Sequence, residues 1–132
     1  MDTTFHPGLA GSASVQVTSA NTAQALGSGL VPVFATPALV ALLEQAAVNA
    51  LTGSLLPGST SVGTHIDVRH MAATPVGMMV TATATLVEAD GRRLCFEVAA
   101  RDDAEPIAEG IHERVVVDEQ RFMDRVEGKR AG

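Results

Sequence analysis

A chain of 132 residues that is 46% hydrophobic is long enough for one packed domain with a sizeable core. Its formal net charge is −6, only one of nine basic residues is Lys, and 3% of residues are aromatic, so a nucleic-acid partner is not expected. The lone cysteine, Cys95, excludes an intrachain disulfide, no Cys/His cluster has zinc spacing, and no apolar run reaches the ~18 residues of a membrane span.

Residues 1–11, with Pro7 and Gly8, read as loose. Ser12–Thr18 alternates weakly and reads as a first strand. Residues 19–33 are small and Gly-rich, a loop long enough to be a lid. Thr36-Pro37 then starts a helix, with Thr as N-cap and Pro at the first helical position. The helix runs from Pro37 to about Leu51 and is apolar almost all round, the pattern of a buried helix. Glu44 is the only charge inside it. A carboxylate there is costly unless it is paired, protonated or wetted by a cavity, or unless it shares an exposed stripe with Gln45 and Asn49.

Four β segments follow, over about 60–71, 78–88, 92–101 and 107–118. Ala89-Asp90-Gly91-Arg92 makes the hairpin turn between the second and third. Cys95, between Leu94 and Phe96, reads as a packing residue. The alternation slips near Gly110, which predicts a bulge and leaves the faces of His112 and Arg114 undetermined. Residues 119–127 form a short amphipathic helix with Phe122, Met123 and Val126, and the tail 128–132 is expected to fray, as are residues 1–11. Arg69, Arg92, Arg93 and Arg114 are the cations available to an anionic small molecule.

His70 ends the first of these segments. Counting back in twos places it on one face with Val68, Ile66, Thr64 and Val62, while Arg69, Asp67, His65 and Gly63 face the other way. An imidazole at the rim of a core face reaches both a cavity and its mouth, and titrates near neutral pH. Strand, loop, buried helix, then four antiparallel strands predict an α+β hotdog fold: one curved antiparallel sheet wrapped around a central helix, as one domain over residues 1–132. Its open sheet edges predict a homodimer, with a tetramer left open. The N-terminus lacks a basic segment followed by an apolar one, so a cytoplasmic chain is expected.

The chain also resembles the fluoroacetyl-CoA thioesterase family of hotdog proteins. The resemblance lies in Phe34-Ala35-Thr36, Leu43-Glu44, Gly63-Thr64, His70-x-Ala72-Ala73-Thr74-Pro75-x-Gly77, Gly91-Arg92-Arg93-Leu94 and His112-Glu113-Arg114, spread over about residues 34–126. It implies hydrolysis of an acyl-CoA thioester by Thr36, Glu44 and His70, with Gly63, Arg114 and Phe34 at the substrate, and with neither metal nor cofactor. Gly27 and Leu30 stand where the lid of the fluoroacetyl-specific member carries phenylalanines, so broader acyl acceptance is expected here. A desolvated Glu44 would be a stronger base than an exposed glutamate. Gly63 could present a backbone N–H to an oxyanion. Thr36 and Glu44 are about 12 Å apart along the helix axis, so they take separate roles on an extended substrate or meet across a dimer interface. A non-catalytic acyl-CoA binding or sensing domain and a hotdog acyl-CoA hydratase are the competing functions.

Overall fold

The computed structural model describes residues 5–131. Five strands form one antiparallel sheet in the order β1-β3-β4-β5-β2: β1 (Ala10–Gln16), β2 (Ser59–His70), β3 (Met79–Asp90), β4 (Arg93–Asp102) and β5 (Pro106–Asp118). The helices are α1 (Ala23–Leu26), α2 (Thr36–Ala50) and α3 (Glu119–Glu127). β2 and β1 are the two edge strands.

The apolar pattern explains the packing. Val80, Ala82, Ala84 and Leu86 of β3 and Leu94, Phe96, Val98 and Ala100 of β4 alternate inward, as period 2 requires. They meet Leu39, Leu43, Ala46, Ala47 and Ala50 of α2, which are all but inaccessible. Small residues on α2 let the sheet curl closely around it. Ala41, Gln45, Val48 and Asn49 remain exposed, and Asn49 ties the helix to β1 through the Ser12 carbonyl at 2.7 Å.

Several boundaries differ from the sequence expectation, each for a local reason. The N-cap of α2 is Ala35, and Thr36 is the first helical residue, because the Thr36 hydroxyl bonds His70 and not the helix backbone. Residues 8–11 are not loose: the Gly8 N–H donates to the Leu86 carbonyl at 2.8 Å, Leu86 returns the bond to Leu9, and β1 begins at Ala10. Residues 1–4 and 132 lie outside the described residues, and Gly128–Arg130 is a single 3-10 turn. The 19–33 segment carries the short helix α1, whose N-cap Thr22 accepts from the Ala25 N–H and whose C-cap Gly27 adopts φ 72°. Its ends are clasped where Thr22 bridges Phe34 and the Ala23 N–H reaches the Val33 carbonyl.

The strand irregularities also move. No register shift occurs at Gly110, which pairs with Val68 and Val98. Glycine is needed there because a Cβ would strike the Asp67 backbone of the neighbouring strand. The β4–β5 shift falls instead at Ala100/Arg101, and a second lies in β2 between Gly63 and His65. The extra residue at Thr64 reverses the alternation in the first half of β2. Ile66, Val68 and His70 do share the half-buried face. Val62 and Thr64 do not continue it; Ser61 and Gly63 take their place toward α2.

Candidate active site

The chemistry-bearing residues fall into two clusters. At the start of α2, the Thr36 hydroxyl and His70 Nδ1 lie 2.8 Å apart. The helix places Thr36 and the last residue of β2 places His70. Their cavity, about 260 Å³, is also bounded by Ala23, Phe34 and Ala72. Phe34 is 1% exposed, so it serves the core and the cavity wall together. His70 Nε2 is buried and has no hydrogen-bond partner among the described residues. Burial holds the His70 pKa below its ordinary 6.5, against an opposing contribution from the Ala72 backbone. The imidazole is therefore neutral at pH 7, with one nitrogen engaged and one available.

The second cluster sits two turns along α2. Glu44 Oε2 accepts from Arg114 Nη1 at 3.3 Å. Glu44 is neither alone nor desolvated: its side chain is 41% exposed and paired with Arg114, so of the alternatives open from the sequence it takes the paired and solvated ones and not the desolvated base. Arg114 itself is buried, held by Nε to the Ser61 hydroxyl at 2.9 Å and Nη2 to the Ser61 carbonyl at 3.1 Å. Burial works against its charge, and Glu44 works for it. Gly63 lies opposite Arg114, and a Cβ there would collide with the Glu44 carboxylate. The glycine is what lets the carboxylate approach the sheet.

His112, which faces inward one turn of the pleat from Arg114, is 1% exposed. Its Nδ1 contacts the His65 carbonyl at 2.8 Å and its Nε2 contacts Arg114 Nη1 at 3.1 Å. Burial is the main reason its pKa is low, and the Arg114 charge adds to it, while the His65 carbonyl and Glu44 oppose. His112 and Ser61 were not legible as site residues, because the β2 bulge and the β5 phase decide which way they face. Of the other cations, Arg93 pairs with Glu113 at 2.9 Å on the outer face, Arg69 lines a groove on that same face, and Arg92 lines a cavity near Leu55 and Asp118. Cys95 is half-buried beside Glu113 and Glu88, and burial foremost raises its pKa, which suits an inert thiol.

Two neutral histidines make stability depend on pH in a defined sense. In the folded chain both bind a proton less readily than at the ordinary 6.5 of an unfolded one. Below pH 6.5 the unfolded chain therefore binds more protons, and stability is lost as pH falls toward the lowered values. The melting temperature should be level above about pH 7.5 and should drop as pH falls below about 6.5. A melting temperature that rises on acidification through that range would contradict two buried neutral imidazoles.

An antiparallel sheet curled around one apolar helix, with a Thr–His pair at the helix start and a Glu–Arg pair farther along, defines the class: a hotdog-fold thioester hydrolase. A profile of the fluoroacetyl-CoA-specific thioesterase family matches residues 17–120. The fluoroacetyl-CoA thioesterase of Streptantibioticus cattleyicolor is 46% identical over 97 residues, 74% of this chain and 70% of that protein. A solved structure of the fluoroacetyl-CoA thioesterase FlK superposes with TM-score 0.90 at 37% identity, over 96% of this chain and 98% of that one. A hot-dog-like protein from Thermanaerovibrio acidaminovorans gives TM-score 0.88 at 29% identity, over 97% and 95%. The chain belongs to the fluoroacetyl-CoA-specific thioesterase family. Among the described residues, no helix is long and apolar enough to cross a membrane.

Proposed function

We propose that this chain hydrolyses short acyl-CoA thioesters to free acid and CoA, at sites shared between the two protomers of a homodimer. Each site would combine Thr36, His70 and Phe34 of one protomer with Glu44, Gly63 and Arg114 of the other. The observation that carries this reading is the separation of the two clusters. They lie about 12 Å apart along α2 and roughly 20 Å apart along β2. Neither cluster alone holds a base, a carbonyl-polarising donor and a substrate cavity.

The edge strand β2 supports the dimer. Among the described residues, its 12 residues pair only with β5, which leaves its other side open for pairing. Two-fold antiparallel pairing of two β2 strands about their centres sets the His70 end of one beside the Ser59 end of the other. That is the end at which Ser61 holds Arg114.

In this arrangement the Thr36 hydroxyl donates to His70 Nδ1, leaving Nε2–H to donate to the thioester carbonyl oxygen. Glu44 takes a proton from water as the water oxygen bonds to the carbonyl carbon. The C–S bond then breaks, and the proton held by Glu44 goes to the leaving thiolate. Arg114 keeps the carboxylate aimed, and the donors facing the carbonyl stabilise the oxyanion.

The test is thiol release from a panel of acyl-CoAs, followed with a thiol-detecting reagent. One CoA thiol is expected per acid formed. CoA esters that bind but are never cleaved would instead support the binding domain. Breadth is a separate expectation, drawn from the lid. Gly27 follows α1, and Leu30 is 90% exposed and does not fill the cavity. Acetyl-, propionyl- and butyryl-CoA should therefore reach kcat/KM within about tenfold of fluoroacetyl-CoA, since a pocket that is not tightly closed discriminates weakly by methylene count. A value for fluoroacetyl-CoA far above all three would contradict this.

A further inference from the structure

His112 is a buried titratable side chain to which the mechanism above gives no task. Its two contacts fix its chemical form. The His65 carbonyl only accepts, so Nδ1 carries the hydrogen at 2.8 Å. The Arg114 guanidinium only donates, so Nε2, 3.1 Å from Nη1, carries none. Both contacts demand the same neutral tautomer. Phe96 of β4 stacks on the ring, with centroids 6.4 Å apart and planes 29° apart, and keeps it from turning.

Arg114 Nη1 thus has two acceptors, His112 Nε2 at 3.1 Å and Glu44 Oε2 at 3.3 Å. Its two hydrogens match those two acceptors. The groups facing His112 are Glu44 from α2, at 3.9 Å from Nε2, the His65 backbone from β2, Arg114 on its own strand, and the uncharged Phe96, while the His65 imidazole on β2 adds a smaller charge contribution against protonation. Protonating Nε2 would set N–H against N–H and draw Glu44 away from Arg114.

We infer that His112 is a positioning residue for hydrolysis: as a neutral acceptor it fixes Arg114 Nη1 and, through it, the Glu44 carboxylate. The inference rests on the reading that Glu44 and Arg114 serve the reaction. It gives the buried imidazole a function that packing alone would not require, since an apolar side chain fills the same space without a polar cost.

The test compares His112→Gln, His112→Leu and Glu44→Gln in the full chain, with acetyl-CoA as substrate and a melting curve for each. Gln can donate to the His65 carbonyl and accept from Arg114; Leu fills similar volume and does neither. His112→Leu should lower kcat about 10- to 100-fold with KM changed less than about threefold, the cost of a misplaced catalytic group. His112→Gln should restore kcat to within about threefold of wild type. It should also remove one proton from the acidic limb of the kcat profile below pH 6.5. A Leu variant as active as wild type, or a folded Gln variant as impaired as Leu, overturns the inference. If Leu does not fold, the Gln variant decides alone, and a folded Gln variant reduced tenfold or more overturns the inference. Glu44→Gln separates the two levels. If it is inactive while the His112 variants are unimpaired, only the His112 inference fails. If it is fully active, the underlying reading of Glu44 fails.

Discussion

Glu44→Gln is expected to lower kcat for acyl-CoA hydrolysis at least about 10²-fold with little change in KM, the usual contribution of a positioned base. Glutamine keeps the shape and still offers Arg114 an acceptor oxygen, so Ser61, His112 and the guanidinium have no reason to move. The side chain is 41% exposed, and its exchange should leave the melting curve near that of wild type. What disappears is the negative oxygen able to take a proton from water. Steady-state thiol release against acyl-CoA concentration measures the effect. A folded variant whose kcat stays within about threefold of wild type would remove Glu44 from the mechanism.

His70→Ala is expected to be as damaging, again at least about 10²-fold in kcat. The imidazole has two distinct nitrogens: Nδ1 engages Thr36 at 2.8 Å, and Nε2 is buried with no hydrogen-bond partner among the described residues. In the proposed reaction, truncation removes the donor to the carbonyl, and it releases the Thr36 hydroxyl from its 2.8 Å contact. His70 sits at the end of β2 and is only half-buried, so the sheet and the α2 core should persist. A fully active, folded His70→Ala variant would leave the cavity at the helix start without chemistry.

Much of the fold was legible because period and polarity agree. An all-apolar helix has to be buried, and Val80 to Leu86 and Leu94 to Ala100 can alternate inward only as strands. Thr36, Glu44 and His70 each stood out, as a polar residue at a helix start, a charge in an apolar helix and an imidazole on a core face. Their partners did not. The Thr36–His70 bond needs the tertiary crossing of α2 and β2. The Arg114–Glu44 pair depends on the phase of β5, and the facing of Ser61 and Gly63 beside it depends on the bulge at Thr64, a one-residue slip that exchanges the two faces of a strand and leaves little trace in composition. The same slip misdirected the expectation for Val62 and Gly63. The capping role expected for Thr36 failed because its hydroxyl had a tertiary partner to satisfy.

The central claim is that a working site takes His70 from one protomer and Glu44 from the other, and a mixed dimer tests it most directly. His70→Ala and Glu44→Gln chains carrying different affinity tags are co-expressed, and the heterodimer is isolated through both tags. Shared sites leave one site intact and one doubly impaired, so the heterodimer should show about half the wild-type kcat per dimer, while each homodimeric variant stays at about 1% or less. A heterodimer as inactive as the two homodimers would contradict the shared site and place Glu44 and His70 of the same protomer in one site.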